Sequence, residues 1–147
     1  MKKSLAVLAA LLLLALAESA PARDTLVEFP IENAMQSLKI KSELYSNIQL
    51  FWGDQEYPKP ETVYGEFKTS QRTNALGKGR EEACQWALAS SIKELQARAH
   101  REGGNAVVNI KSNIKNVEKS SETQYQCLAG SVMVNVALKG TVVRLPE

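Results

Sequence analysis

The sequence predicts an α+β protein in two layers, with one long helix packed on a mainly antiparallel sheet of four to five strands. Three observations lead to this prediction. One long amphipathic segment lies in the middle of the chain, the flanking segments alternate with a period of two residues, and clusters of turn-forming residues separate them. A helix with one apolar stripe and strands with one apolar face bury those surfaces together when the helix lies across the sheet.

The first segment, residues 1–22, is typical of a secretory signal peptide. It has a positive start at Lys2-Lys3, an apolar run over Leu5–Ala17 and small residues at Ala20-Pro21-Ala22. The apolar run is short for a bilayer span, which needs about 20 residues. We therefore expect cleavage after Ala22, a periplasmic location and no membrane span after cleavage. Residues 23–147 then form a single α+β domain.

The chain before the long helix contains several short elements. The β-prone segment Thr25–Ile31 contains Pro30, which confines it to a sheet edge or a strand end. Glu32–Ser42 predicts a short helix. Asn47–Trp52 predicts a strand whose Trp52 enters the core.

Two prolines make Asp54–Thr62 a loop, and a strand follows it over Val63–Arg72. Strict alternation along this strand places Val63 and Phe67 on one face, and Tyr64 and Lys68 on the other. A half-buried strand has this pattern. Asn74–Gly79 then forms a second loop before the long helix.

The long helix is predicted over Arg80–Glu102. Acidic residues begin it and basic residues end it, as the helix macrodipole favours, and Gly103-Gly104 terminates it. Spacings of three and four residues place Leu88, Ile92 and Leu95 on one buried stripe. His100, the one histidine, lies near the basic end and is interpreted as a favourable cation rather than a catalytic base.

The chain after the helix returns to the sheet. Asn105–Asn113 predicts a strand, and Lys115–Glu122 is a polar, turn-like segment. Thr123–Leu145 is too long for one flat strand, so we expect a bulge, bend or turn at Gly130 and Gly140.

Cys84 and Cys127 are the two cysteines of the chain. An exported protein with an even number of cysteines usually oxidises them, so we expect a structural disulfide. The chain-entropy relation assigns about 4 kcal/mol of stabilisation to a loop of this length. The alternative is a redox-active pair, but such pairs commonly lie two residues apart in sequence.

Composition excludes some functions and leaves two open. With 18 Lys+Arg against 16 Asp+Glu, the net charge of +2 is too small for a dedicated nucleic-acid binder. One histidine and two cysteines leave few ligands, so no metal and no cofactor is expected. Tyr57 lies in the Asp54–Glu61 loop and Tyr64 follows it, and the two form a candidate binding surface. The carboxylates of the same loop support an alternative hypothesis, that the protein is a weak hydrolase or a metal-dependent enzyme.

The run EEACQWALASSIKELQARAHREGGNAVVNI, followed by QCLAGSVMVNVALKG, resembles a group of small exported proteobacterial proteins of unknown function that often carry the label "excinuclease ATPase subunit". A more distant likeness is to the periplasmic domain of RcsF, an envelope-stress lipoprotein. The matching positions are Asn105, Ala106, Val107, Cys127, Gly130 and Ser131. This likeness implies a compact α/β domain tied by a disulfide. A sensor role does not carry over, because this chain lacks the lipidation cysteine and the proline-rich tether.

The ATPase label does not fit the sequence. A phosphate-binding loop needs a first glycine at a set spacing before Gly-Lys-Ser/Thr. Asn74–Arg80 contains Gly77-Lys78 but neither that glycine nor the Ser/Thr. The prediction is therefore a small non-enzymatic envelope protein with a binding or stress-related role, whose partner is an unknown envelope protein or ligand.

The signal-peptide prediction is checked by N-terminal sequencing of protein recovered from the periplasm. The first residue is expected to be Arg23, because the small residues before it form the peptidase site. Recovery of intact chain starting at Met1 in the integral membrane fraction would contradict it.

Overall fold

A computed structural model describes residues 24–147; the predicted signal peptide, 1–22, lies outside the described residues. The elements follow one another as three helices among seven strands. In chain order they are β1 (Thr25–Pro30), α1 (Ile31–Gln36), α2 (Leu38–Glu43), β2 (Gln49–Trp52), β3 (Thr62–Asn74), α3 (Arg80–Glu102), β4 (Ala106–Ile114), β5 (Val117–Lys119), β6 (Gln124–Ala129) and β7 (Met133–Arg144).

β7 is the central strand of the sheet. One of its edges pairs with β3 along its whole length, and its other edge pairs with β6 at the start and with β4 further on. β1 extends the sheet from β6, and β2 and β5 extend it from β4. Five of the six strand pairings are antiparallel, and β2 with β4 is parallel. The mixed α and β architecture and the mainly antiparallel sheet confirm the prediction.

The prediction of four to five strands was too low, because the sheet has seven. The turn-like segment Lys115–Glu122 contains β5, a strand of three exposed residues with no apolar alternation to detect. Thr123–Leu145 is two strands, β6 and β7, with Gly130 at the turn between them. Gly140 instead lies inside β7, opposite a β-bulge of β4 between Val108 and Lys111.

Helix α3 covers one face of the sheet, which we call the inner face. It has the predicted bounds, and Leu88, Ile92 and Leu95 are at most 1% exposed, which confirms the predicted stripe. The inner face of β7 meets this stripe at Gly140. A Cβ there would lie 2.6 Å from Cγ1 of Val107, so only glycine fits between β4 and the helix.

The end of α3 is bound to the end of β7. Gly103 has φ +85° and ends the helix, and Gly104 donates its N–H to Ala99 O. A Cβ at Gly104 would lie 2.7 Å from Val143 O. The Asn105 side chain then donates to Leu145 O and accepts from Leu145 N–H, at 3.0 and 2.7 Å. These three residues therefore join the helix terminus to the central strand.

A second, smaller core lies on the opposite face, which we call the outer face. Ala106, Val108, Val143 and Leu145 are buried there beneath Phe51 and Tyr57. The predicted loop after Trp52 folds over this cluster. Trp52 itself is 6% exposed and belongs to the inner core, as predicted.

Two further predicted elements differ from the structure. The short helix over Glu32–Ser42 is two helices, because Ser37 adopts an extended backbone between α1 and α2. In β3 a β-bulge at Tyr64, next to Gly65 with φ +124°, interrupts the alternation. Tyr64 consequently packs against the inner core, and Val63 is 63% exposed rather than facing the helix with Phe67.

Gln96 is a buried polar residue that fastens the segment before β2 to α3. It is 1% exposed. Its Nε2 donates to the carbonyl oxygens of Tyr45 and Ile48, and its Oε1 accepts from Tyr45 N–H. One side chain thus bonds to three backbone groups, of which the buried Ile48 O would otherwise lack a partner.

Replacement of Leu95 by alanine is expected to lower the free energy of unfolding by about 2–5 kcal/mol, since it leaves a cavity in a fully packed core. Lys93→Ala is the control. Lys93 makes only a half-exposed ion pair with Glu43, at 3.2 Å, and such pairs contribute about 0–1 kcal/mol. Urea melts measure both values, and equal losses at the two positions would contradict the packing of α3.

Gln96→Leu is expected to lower the free energy of unfolding by roughly 1–3 kcal/mol, because it removes the partners of the buried Ile48 O and the part-buried Tyr45 N–H. Gln85→Leu, at a half-buried position of the same helix, is the matched control. Thermal or urea denaturation distinguishes them. A Gln96→Leu protein as stable as the control would mean that water replaces the amide at no cost.

Candidate functional site

The outer face of the sheet carries two groups of charged residues that differ in how they are paired. One group is neutralised. Lys139 lies 2.9 Å from Glu66, and Lys111 lies 3.3 Å from Glu118. Hydrogen bonds with Lys139 and Lys111 hold the pKa of Glu118 below its ordinary value, and the hydrogen bond with Glu118 raises the pKa of Lys139. Each of these charges therefore has an opposite charge of the protein beside it.

The second group surrounds a concave surface that we call the outer trough. It has two adjoining parts of about 350 and 510 Å³, which share Ser70 and Lys115. Its polar members come from β3, from the β4–β5 hairpin and from β7: they are Lys68, Ser70, Arg72, Asn113, Lys115, Asn116 and Asn135. Leu128 and the turn after β6 form its other wall.

Local geometry explains why these side chains meet. Even-numbered residues of β3 point to the outer face, which brings Lys68, Ser70 and Arg72 into one row. A two-residue turn joins β4 to β5, and its members Lys115 and Asn116 have φ values of +53° and +61°. Such a turn matches the twist of a hairpin, and asparagine adopts it readily.

The hydrogen bonds of the outer trough keep its floor in place. The Lys68 ammonium donates to Asn116 Oδ1 at 3.4 Å, which connects β3 to the hairpin. The Asn135 amide donates to Ser70 Oγ at 2.9 Å and to Gln71 O at 2.9 Å. These bonds connect β3 with the hairpin and with β7 around the outer trough.

The charge of the outer trough is positive. Over residues 24–147, neither Lys68, Arg72 nor Lys115 lies within ion-pair distance of a carboxylate. Asp24 is the acidic member of the lining, at the far end beside Gly130. Ammonium, guanidinium, amide and hydroxyl groups together suit an anion with several oxygen acceptors.

The cysteines lie elsewhere, in the inner core. Cys84 in α3 and Cys127 in β6 are at disulfide-bonding distance, with Cα atoms 6.0 Å apart, and both are fully buried. They connect the second turn of the helix to β6 on the inner face of the sheet. Their burial places this bond among structural contacts, away from the outer trough.

Tyr57 and Tyr64 lie on opposite faces of the sheet and do not meet. Tyr57 packs against Phe51 on the outer face, with ring centroids 5.8 Å apart, and its hydroxyl accepts from Asn109 Nδ2. The Tyr64 hydroxyl donates to Gly103 O at the end of α3. The bulge of β3, which the alternation did not reveal, separates them.

The loop Asp54–Glu61 borders an open depression beside Phe51. Asp54, Glu56 and Glu122 line it together with apolar side chains. No cluster of three or more His, Cys, Asp or Glu side chains suited to a metal ion occurs in the described part of the chain. His100 lies in the last turn of α3 and stacks on Tyr45, with centroids 6.3 Å apart.

The members of the outer trough were not among the candidate residues of the sequence. The Lys115–Glu122 segment shows only that a polar turn exists, and nothing in its spacing indicates that it approaches β3. The one local signal is the alternation of Lys68, Ser70 and Arg72, which predicts a polar strand face.

No helix within residues 24–147 is long and apolar enough to cross a bilayer. Comparison with known proteins assigns no family: no family model, no curated protein and no solved structure matches the chain.

Proposed function

We propose that this chain is a small non-enzymatic exported protein of the cell envelope that binds an anionic ligand in the outer trough. The observation that carries the proposal is the gathering of Lys68, Arg72 and Lys115, unpaired within the described residues, around one concavity. Like charges on one surface repel each other, and an anion bound among them relieves that repulsion.

The contrast with the neighbouring group of charges supports this proposal. Lys111 and Lys139, on the same face, are matched by Glu118 and Glu66. The polypeptide therefore supplies ion-pair partners on one half of the outer face, whereas the other half has Asp24 at its far end and no ion pair within the described residues. An anion from outside the chain supplies the missing counter-charge there.

The shape and the neutral groups of the outer trough also suit a ligand. Ser70, Asn113, Asn116 and Asn135 can each donate and accept hydrogen bonds, which fixes the orientation of a bound group. Asn113 is 6% exposed, so its position is set by packing. Groups already held in place lose little entropy when they bind.

Export rests on the signal-peptide prediction and is supported by the Cys84–Cys127 pair. Disulfides form and persist in oxidising compartments such as the periplasm. Phosphate and carboxylate groups are the anions expected there, either on a soluble molecule or on a lipid headgroup. Both sources share the same oxygen acceptors, so the test must distinguish them.

The test measures binding of two probes to the purified protein: tripolyphosphate, and vesicles that contain phosphatidylglycerol. The variant Lys68→Gln/Arg72→Gln/Lys115→Gln is expected to bind at least about tenfold more weakly, because charge-assisted hydrogen bonds contribute about 1.5 kcal/mol or more each. Binding is also expected to weaken as salt is added, since salt screens exposed charges.

The matched control, Lys39→Gln/Lys41→Gln/Lys59→Gln, changes the net charge equally at exposed positions outside the outer trough. It is expected to bind like the wild type. Preference for tripolyphosphate indicates a soluble anion, and preference for vesicles indicates a headgroup. Equal weakening by both triple variants, or no binding of either probe, would refute the outer trough as the site.

A further inference from the structure

The edge of β3 that faces away from β7 is open along its middle. Ala75 donates its N–H to Val132 O at 2.7 Å, in register with the pairing of the two strands. Because backbone groups alternate along a strand, odd-numbered residues of β3 bond to β7 and even-numbered residues turn their N–H and C=O outward. In the described chain, these outward groups have no backbone partner over residues 66–72.

Both ends of this open edge are closed by local structure. The bulge at Tyr64 interrupts the strand before Glu66. At the other end, Lys78 donates its ammonium to Asn74 O at 3.1 Å. The open part is therefore a defined unit of Glu66, Lys68, Ser70 and Arg72. A long unpaired edge of this kind is a template for pairing with another strand.

The geometry points to a second copy of this chain as the occupant of this edge, with the two β3 strands antiparallel around a two-fold axis at Thr69. In that register Glu66 faces Arg72 of the other copy, and Lys68 faces Ser70. Every outward N–H and C=O of the four residues then has a partner. The pairing gives Arg72 of the outer trough a carboxylate partner in the second copy and leaves Lys68 and Lys115 without one. The inference rests on the open edge and not on the function proposed for the outer trough.

Charge complementarity selects this register over its neighbours. An axis at Lys68 places Lys68 opposite itself, and an axis at Ser70 places Lys68 opposite Arg72; like charges directly opposite each other destabilise a strand pair. An axis at Phe67 pairs Glu66 with Lys68 but carries the ends of both strands into the bulge at Tyr64. Only the axis at Thr69 pairs opposite charges and uses the whole open edge.

The inner side of this edge is concave. A groove of about 360 Å³ runs between β3 and α3, and it is bordered by Phe67, Thr69, Gln71, Leu95 and Arg98. The guanidinium of Arg98 lies over the Phe67 ring, 4.1 Å from its centroid. The inward side chains of the second β3, Thr69 and Gln71, enter this groove. Self-association is isologous, as in most soluble oligomers.

The first experiment tests the axis by cross-linking. In the proposed pairing the two Thr69 residues face each other, with Cα atoms about 4.5 Å apart as in a non-hydrogen-bonded pair, which a disulfide can bridge. Thr69→Cys is expected to give a covalent dimer under mild oxidation. Thr73→Cys is the matched control, since Thr73 has the same orientation but faces Gly65 of the other copy. Non-reducing gels and intact mass provide the measurement.

The second experiment tests the edge without cross-linking. Ser70→Pro removes an outward N–H, which β7 does not use, and an edge strand tolerates such a proline. Ser70→Ala loses the same side-chain hydrogen bond to Asn135 and keeps the N–H. Sedimentation equilibrium is expected to show dimers for the wild type and for Ser70→Ala, and monomers for Ser70→Pro.

A charge exchange provides a third measurement that does not depend on proline. Arg72→Glu places two carboxylates opposite each other and is expected to weaken dimerisation at least tenfold. Glu66→Arg/Arg72→Glu restores opposite charges and is expected to restore the dimer. A monomeric wild type, equal cross-linking at Thr69 and Thr73, or capture of another protein's strand in place of the second copy would each overturn the inference.

Discussion

The packing of α3 against β7 is the interaction on which the rest of the structure depends. β7 pairs with three other strands, so the helix that covers it holds most of the sheet in place. Two features allow α3 and β7 to approach each other closely. Gly140 leaves room for Val107 and Leu95 above the strand, and Ser91 donates its hydroxyl to Val136 O at 2.8 Å inside the core. A side chain at position 140 would separate the two layers.

β3 contributes residues or backbone groups to three surfaces of the protein. Its inward residues, such as Phe67, pack beneath α3, and its outward residues Lys68 and Arg72 line the outer trough. Its backbone presents the open edge. The period of two residues divides the side chains between the faces, and the bulge at Tyr64 ends the regular stretch. A substitution in β3 therefore affects one surface or another according to whether its position is odd or even.

The sequence predicts those structural elements whose position depends on a local residue pattern. Arg80–Glu102 was found with its bounds because the apolar stripe, the charged ends and Gly103-Gly104 all agree. The bulges and β5 were missed, because a single extra residue or a three-residue polar strand leaves no periodicity to recognise. The outer trough was missed for a different reason. It brings residues near 70 together with residues near 115, and only the common pairing of β3 and β4 with β7 establishes that proximity.

The position of β7 in the chain has a consequence for how the protein is made. The strand that organises the sheet is the last element in the described order, and it pairs with β3, which is synthesised some seventy residues earlier. Until β7 leaves the ribosome, α3 has no central strand to cover and β3 has no neighbour in the sheet. The sheet therefore cannot be completed until synthesis of the described chain is almost finished, and non-local pairing of this kind is slow.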